Sequence, residues 1–556
     1  MDKVIRVYCK NVERGIDVPG GSTLGEIALL LGDELRMTPI CCRVNNKTEP
    51  LDYAVYQPKQ IEYQDCVTGS GPRVYTRTLC MLLYAALERT RPGSRLRMEH
   101  SVAHGYYCRI KGMEDVPEEL LRAVEAEMRR LVEADLPLTR HQGLTTEVAD
   151  MFESRGLESK AELLRTTREL YSIYYTLEDV SDSYYGALAP STGAVSVFAL
   201  HKYKQGFLLM PFDPAAPWRP AQTVAQEKMF GAFTEYLNFN NIIGVRDVGE
   251  LNRCIQRHEE ANLINVAEAL HEKALAHISD EITARYRRGG ARIVLISGPS
   301  SSGKTTTTKR LAIQLMTNLL KPQMISLDDY FVNRDNTPRD STGDYDYESL
   351  YALDLAQFNA DLASVLAGER VQLPTYNFET GEREYRGNSI RLEEGSILLI
   401  EGIHGLNPEL TSLIPEEMKF RLYVSALTTL SIDDHNWIPT TDTRLLRRII
   451  RDHKYRGTSA ESTIRRWPSV RRGEDKWIFP YQENADAMFN SSFVFEPAVM
   501  KDYGESILRG VPSDVPEYAE AYRLRKFLSY FLPVSAGLLP STSLLREFLG
   551  GSSFKY

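Results

Sequence analysis

The chain has 556 residues, several times the ~150 expected of one domain, so three or four domains are expected and a single core is excluded. Hydrophobic residues at 43% and charged residues at 25% fit a globular chain that buries large cores, and no run of ~18 uninterrupted apolar residues offers a membrane span. A net charge of -9 disfavours a chain coated with a basic nucleic-acid footprint, while leaving room for a local basic patch.

The first residues, MDKVIRVYCKNVERG, are charged throughout and lack the apolar centre of a signal peptide, so a cytoplasmic location is expected and no membrane partner. Seven cysteines, none beyond Cys254, are an odd and thinly spread set, and reduced thiols are expected. Within residues 1–65, β-branched and polar residues alternate around Val4, Ile5, Val7, Ile16 and Val18. A helix is expected over Thr23 to Leu31, then strands over Ile40 to Val44 and Gln60 to Tyr63. Adjacent Cys41 and Cys42 point to opposite faces if that stretch is a strand. The order suggests a small sheet packed on one helix. With its VPGGSTLGEIA stretch, the segment resembles a TGS domain, which implies a β-grasp fold.

Residues 70–220 open on a helix, Thr76–Glu88, with Leu79, Leu82, Leu83 and Ala86 at helical spacing. His100 and His104 then stand four residues apart, with Cys108 four further on. On a helix all three share one face, where they could hold a metal or serve polar packing. The HSVAH stretch, with Pro190-Ser191-Thr192-Gly193, is similar to the second additional domain of threonyl-tRNA synthetases, where mischarged tRNA is edited. That family carries a Cys-x-x-x-His pair before its Pro-x-Thr-Gly; here the stretch reads Tyr184-Tyr185-Gly186-Ala187-Leu188. A retained scaffold with a binding or regulatory role is therefore expected. Residues 222–288 repeat apolar side chains at helical spacing over Val248–His258 and Leu263–Arg285, a helical connector that Gly289-Gly290 ends.

Ile293-Val294-Leu295-Ile296 has the pattern of a strand buried on both faces of a parallel sheet. Gly298-Pro299-Ser300-Ser301-Ser302-Gly303-Lys304-Thr305 follows it and matches G-x-x-x-x-G-K-[ST]; a helix from Thr306 to Leu320 comes next. Such a loop turns successive backbone N–H groups toward phosphates, with Lys304 reaching the β- and γ-phosphates and Thr305 able to hold Mg²⁺, so ATP and Mg²⁺ are the expected cofactors. Thr306 extends the same nucleotide-binding run. Met324–Phe331 reads as a second strand ending in Asp328 and Asp329, of which one is expected to face the site as general base. Ser396–Ile400 reads as a third, ending in Glu401, a candidate Mg²⁺ acid; His404 reads as a hydrogen-bonded turn residue.

From Asp442 to Lys476 arginines and lysines greatly outnumber acids. Arg444, Arg447, Arg448 and Arg451 recur at i, i+3, i+4 and i+7, one helical face that is either solvated or closes over a triphosphate. Arg447 and Arg451 are the candidate nucleotide contacts, Arg444 and Arg466 the candidate substrate contacts.

Together GPSSSGKTT, SLDDYF, LPTYNF, LLIEGIHG and TDTRLLRRIIRD resemble the uridine kinase and phosphoribulokinase branch of phosphate-loop kinases across roughly residues 290–500. The resemblance implies Asp328 as catalytic Asp, Tyr376 as a nucleoside contact and Glu348 as a ribose-binding acid. Gly381 and Arg466 fall where that branch has its base-reading His and Gln, so an acceptor other than uridine, including a phosphorylated one that Arg334 would suit, stays open. The expected fold class is multidomain α+β and α/β: a β-grasp-like domain (1–65), an α+β synthetase-like module (70–220), the connector (222–288), a P-loop kinase domain with a parallel sheet (289–515) and a helical extension (516–556). The expected function is ATP-dependent phosphorylation of a nucleoside or sugar hydroxyl; the competing reading is a nucleotide-switched protein that associates with RNA or tRNA. Apolar residues after Tyr518 are expected to pack on the kinase core or on a second subunit.

Overall fold

The structure, a computed structural model, describes residues 4–340 and 343–555. Strands Val4–Cys9 and Arg14–Pro19 pair antiparallel, and Val4–Cys9 pairs parallel with Gln60–Gln64. Cys41–Val44 and Lys47–Glu49 complete a five-stranded sheet. In the first strand Ile5, Val7 and Cys9 point inward while Val4, Arg6 and Tyr8 face out, the alternation of a half-buried strand. The helix Leu24–Leu31 starts at a capping box in which Thr23 Oγ1 accepts from Glu26 N at 3.1 Å and the Glu26 carboxylate from Thr23 N at 2.8 Å. Its Leu24, Ile27 and Leu31 pack on this sheet. Cys42 points into the same core, whereas Cys41 points the other way and joins the core of the next module. Burial pushes both thiols up, Cys41 to about 12.

The helix Gly71–Thr90 is longer than expected and is buried along nearly its whole length. It packs with an antiparallel four-stranded sheet in the order Ala199–Tyr203, Gly206–Met210, Gly105–Ile110, Leu96–Val102. His100 lies on the last of these strands and Cys108 on its hairpin partner, with Ala103 and His104 at positive φ (+53° and +65°) in the turn between them. The helical face expected for these residues does not exist. Burial also holds His100 down at about 3, and its ring stacks 3.9 Å from that of Phe233. Among the described residues no group of three or more His, Cys, Asp or Glu is placed to hold a metal ion, and of the two readings of His100 and His104 the metal one loses its shared face.

The C-terminal sheet is wholly parallel, in the order Lys321–Ser326, Ser396–Glu401, Ile293–Ser297, Lys419–Ser425, Ala487–Asn490. Its central strand is apolar on both faces because helices cover both. The helices Val248–Gln256 and Glu260–Arg287 form where helical spacing is expected, and a further helix, Glu227–Ile243, precedes them. The last of them shares one core with this sheet: Ile264, Leu275 and Ile282 pack with Val294, Leu311 and Phe420. The stretch after Tyr518 turns into the same core through Leu524, Phe527, Leu544 and Phe548. It is α-helical over Tyr518–Ser529 and Arg546–Leu549, with a 3-10 turn at Ala536–Leu538 between them. No helix among the described residues is long and apolar enough to cross a membrane.

A loop of the parallel-sheet unit locks it to the module built on the helix Gly71–Thr90. Lys160, 1% exposed, bridges Asp182 (2.7 Å) on its own module and Asp433 (2.9 Å) on the loop. His435 Nδ1 meets the same Asp182 at 2.7 Å, and Asp434 takes Arg97 (3.2 Å) and Lys111 (2.8 Å). Burial pushes the Asp182 carboxyl up, but Lys160 and His435 outweigh it and hold it well below the usual range. The junction thus sets three carboxylates, Asp182, Asp433 and Asp434, against Lys160, Lys111, Arg97 and the His435 imidazole.

Candidate active site

The sheet brings three strand ends to one edge. Ser326 and Ile296 both pair with Glu401, so the chain leaves the first, second and third strands at the same level. In an open parallel sheet, ligands bind at the carboxyl ends of the strands. The phosphate loop leaves Ser297 and enters the helix Lys304–Thr317 at Gly303, whose φ of +85° suits glycine. Asp328 sits on a single turn, Leu327–Tyr330, rather than on an extended strand, because the second strand ends at Ser326.

A cavity of about 680 Å³ opens there, lined by Lys304, Thr305, Asp328, Glu401, Glu348 and Tyr376, with Arg448, Arg451, Arg456 and Arg466 opposite. Lys304 Nζ donates to Pro299 O at 3.1 Å. Burial lowers the Lys304 ammonium while Glu401, Asp328 and Glu547 pull it back up. Asp328 is open to the cavity, yet the surrounding protein pushes its carboxyl above the usual range, with Lys304 acting the other way. Asp329 turns aside and accepts from Tyr376 N at 3.2 Å, as expected for one member of the pair. The Tyr376 ring packs against Phe331 and Phe378 at 5.5 and 5.0 Å, an aromatic wall, and its buried hydroxyl has no protein partner. Burial raises the Glu348 carboxyl, opposed by Arg448. Burial and Arg451 bring the Arg448 guanidinium down to about 10, and Arg448, Arg451 and Arg456 share one carboxylate, Asp452, at 3.4, 2.8 and 3.6 Å.

Thr305 Oγ1 lies 3.2 Å from Glu401 Oε1. One hydroxyl and one carboxylate beside a phosphate loop are the hard oxygen donors Mg²⁺ takes from protein when phosphates and water complete its shell, so the residues fit that ion. Burial pushes Glu401 up to about 7 against the pull of Lys304, with Asp328 and Glu547 adding to the rise. The unfolded chain loses this proton near 4.5 and the folded protein near 7. The contribution to stability is therefore full below about 4.5 and lost as pH rises through 7. In metal-free urea unfolding from pH 5 to 8, wild type is expected to lose on the order of 3 kcal/mol more than Glu401→Gln. Parallel pH profiles for the two proteins would contradict this.

Two candidate arginines do not reach the cavity. Arg444 and Arg447 lie on the buried side of the helix Thr440–Arg456, each beside a fully buried glutamate. Arg444 pairs with Glu474 and donates to Ser300 O at 3.0 Å. Arg447 pairs with Glu496 and donates to Ser491 O at 2.8 Å. A helix this well packed presents only part of an arginine stripe to the site, and the i, i+3 members face the core. Their role here is to brace the loop: Glu474 also accepts from Ser300 N at 3.0 Å, and Ser491 Oγ donates to Ser302 O at 2.5 Å. Arg448 Nη1 reaches Ser300 Oγ at 2.8 Å from the cavity side. His404 is buried without a hydrogen bond to either ring nitrogen and does not line the cavity.

Glu547 went unnoticed in the sequence. Its carboxylate accepts from Thr306 Oγ1 at 2.5 Å and from Thr306 N at 3.3 Å, at the head of the phosphate-loop helix, while Leu544 packs on Gly303. Lys454 Nζ holds the same stretch through Leu549 O at 2.6 Å.

Residues 293–494 match the profile of the Phosphoribulokinase / Uridine kinase family. A uridine kinase from Deinococcus deserti is 24% identical over 208 residues, covering 37% of this chain and 91% of that protein. A threonine--tRNA ligase from Carboxydothermus hydrogenoformans is 26% identical over 185 residues, 33% of this chain, which spans only 29% of that ligase's length. Among solved structures, a D-glycerate 3-kinase from Cryptococcus neoformans var. grubii is 16% identical, covering 47% of this chain and 87% of that one, at a TM-score of 0.22, too low to carry weight.

Proposed function

We propose, from a phosphate-loop kinase domain of the Phosphoribulokinase / Uridine kinase family at residues 293–494, that the chain transfers the γ-phosphoryl group of ATP to a hydroxyl of a nucleoside or related sugar. The observation that carries the reading is the meeting of Lys304, Asp328 and Glu401 on adjoining strand ends, with the aromatic wall of Tyr376 beside them. Asp328 takes the proton of the attacking hydroxyl as its oxygen bonds to the γ-phosphorus, the bond to the β-phosphate oxygen breaks, and ADP leaves. Lys304 and the phosphate-loop N–H groups hold the β- and γ-phosphates. Arg448, Arg451 and Arg456 face the charge that spreads over the moving group, and the depressed Arg448 guanidinium is relieved when phosphate arrives. Thr305 and Glu401 are the residues that would hold Mg²⁺, which when bound neutralises phosphate charge.

Glu348 and Tyr376 would position the acceptor, the acid accepting from sugar hydroxyls and the ring stacking on a flat base. Arg466 adds a cation to the acceptor side, so a phosphorylated acceptor belongs in the test. ADP release is to be measured with a panel of nucleosides, nucleotides and sugar phosphates at fixed Mg·ATP. A member that raises ADP release at least tenfold above the ATP-only rate is expected; uniform background rates across the panel would sink the reading.

A further inference from the structure

Arg77 lies on the buried helix Gly71–Thr90, 8% exposed, and lines a second cavity of about 890 Å³ between the synthetase-like module and the kinase domain. Its Nη1 donates to Ala187 O at 2.8 Å, and the guanidinium lies 5.4 Å above the Tyr185 ring. Among the described residues no carboxylate pairs with it. The nearby acids are committed elsewhere: Glu520 to Arg73 (2.7 Å) and Arg523 (2.6 Å), and Asp442 to Arg523 (2.6 Å). Burial lowers the Arg77 guanidinium, and Arg73 and Arg523 add to that against Tyr185. A buried cation without a counter-ion is costly, and folding alone gives no reason to keep one. The backbone nevertheless makes room for it, since a Cβ on Gly186 would stand 2.1 Å from Nη1.

The rest of the wall is suited to a flat ring. Tyr106, Trp437, Phe233 and Phe479 line the cavity with Tyr185. His435 lines it too, with Nδ1 fixed on Asp182 at 2.7 Å and Nε2 buried without a partner, and His100 has both ring nitrogens unpartnered. Asp475 and Glu483, the two carboxylates on the wall, are already engaged, the first with Arg471 at 3.3 Å and the second with the N–H groups of Lys228 (3.0 Å) and Met229 (3.1 Å). Neither neutralises Arg77.

We propose that this interdomain cavity is a second ligand site, which takes a small anion joined to a flat aromatic ring, the chemistry of a nucleoside monophosphate. The anion pairs with Arg77 and the ring lies among the aromatic side chains. The space is far larger than an inorganic anion needs. Arg444 forms part of the wall while its partner Glu474 lines the phosphate-loop cavity, so one ion pair separates the two sites. The proposal stands apart from the phosphotransfer reading, because none of the residues assigned there to ATP, Mg²⁺ or the acceptor lines this cavity.

The test is calorimetric titration of AMP, UMP, GMP and CMP into the full-length protein with its phosphate loop saturated by a non-hydrolysable ATP analogue and Mg²⁺. At least one monophosphate is expected to bind, at least tenfold more tightly than its nucleoside or inorganic phosphate. Arg77→Met is expected to weaken it at least tenfold while melting at the wild-type temperature or above, since an apolar replacement removes an unpaired buried charge. Tyr376→Ala, which alters the acceptor wall of the other cavity, is expected to leave this binding unchanged. Tyr185→Leu provides a second probe of the same site, with an expected loss of at least fivefold. Absence of binding by all four nucleotides, binding indifferent to both Arg77→Met and Tyr185→Leu, or binding lost in Tyr376→Ala overturns the proposal.

Discussion

Lys304→Ala is expected to lower acceptor-dependent ADP release by at least about 10²–10³-fold, the range seen when one preorganised donor to a developing charge is removed. The fold should survive, because the side chain is only half-buried and makes one hydrogen bond, to Pro299 O. What the ammonium does supply is charge: it opposes the burial that lifts Asp328 and Glu401. Without it, both carboxyls hold their protons to higher pH, so Asp328 becomes a poorer acceptor as the phosphates lose their cation. The two losses act on one transition state and should not add independently. Steady-state rates from pH 6 to 9 check this, and an undiminished rate with an unshifted pH profile would refute the assigned role. Thermal unfolding of the variant within a few degrees of wild type excludes misfolding as the cause.

Glu496→Ala should act through stability instead. Arg447 and Glu496 are each wholly inaccessible to water, and deleting the carboxylate leaves a guanidinium buried with only neutral acceptors at Ser301, Ser491 and their backbone. Breaking such a pair from one side costs roughly 3–5 kcal/mol. Replacing both members, as in Arg447→Met with Glu496→Leu, should recover most of that loss, since the desolvation of both charges disappears together. Urea unfolding of the three proteins separates the outcomes: a double variant no more stable than Glu496→Ala would mean that the pair matters for its shape rather than its charge. Nucleotide affinity should fall even in the recovered double variant, because Arg447 also touches Ser301 O in the phosphate loop.

The parts of the site that were legible in the sequence are those written in consecutive residues. Strand, glycine loop and helix follow one another without interruption from Ile293 to Thr317, and Glu401 closes the apolar run Ile397–Ile400. The partners that brace the loop were not legible, since Glu474 and Glu496 lie 30 and 49 residues from the arginines they neutralise. An arginine stripe reads the same whether it faces phosphate or buried glutamate, and only packing decides that Arg448 turns outward while Arg444 and Arg447 turn in. The histidine pair failed for a different reason. An i, i+4 spacing signals a shared face only on a helix, whereas Ala103-His104 forms the corner of a hairpin and places His100 on a strand. Leu96 and Met98 face the core under the helix Gly71–Thr90, and a bulge between Met98 and His100 turns Val102 to the opposite face.

The contact between Glu547 and Thr306 joins residues 241 positions apart. A ribosome adding about 5–20 residues per second takes about 12–48 s to cover that distance. Throughout the interval the phosphate loop is already outside or emerging while the carboxylate that will sit on its helix has not been made. The carboxylate that sits on the head of the phosphate-loop helix is therefore made after the loop's other bracing partners, Glu474, Ser491 and Glu496.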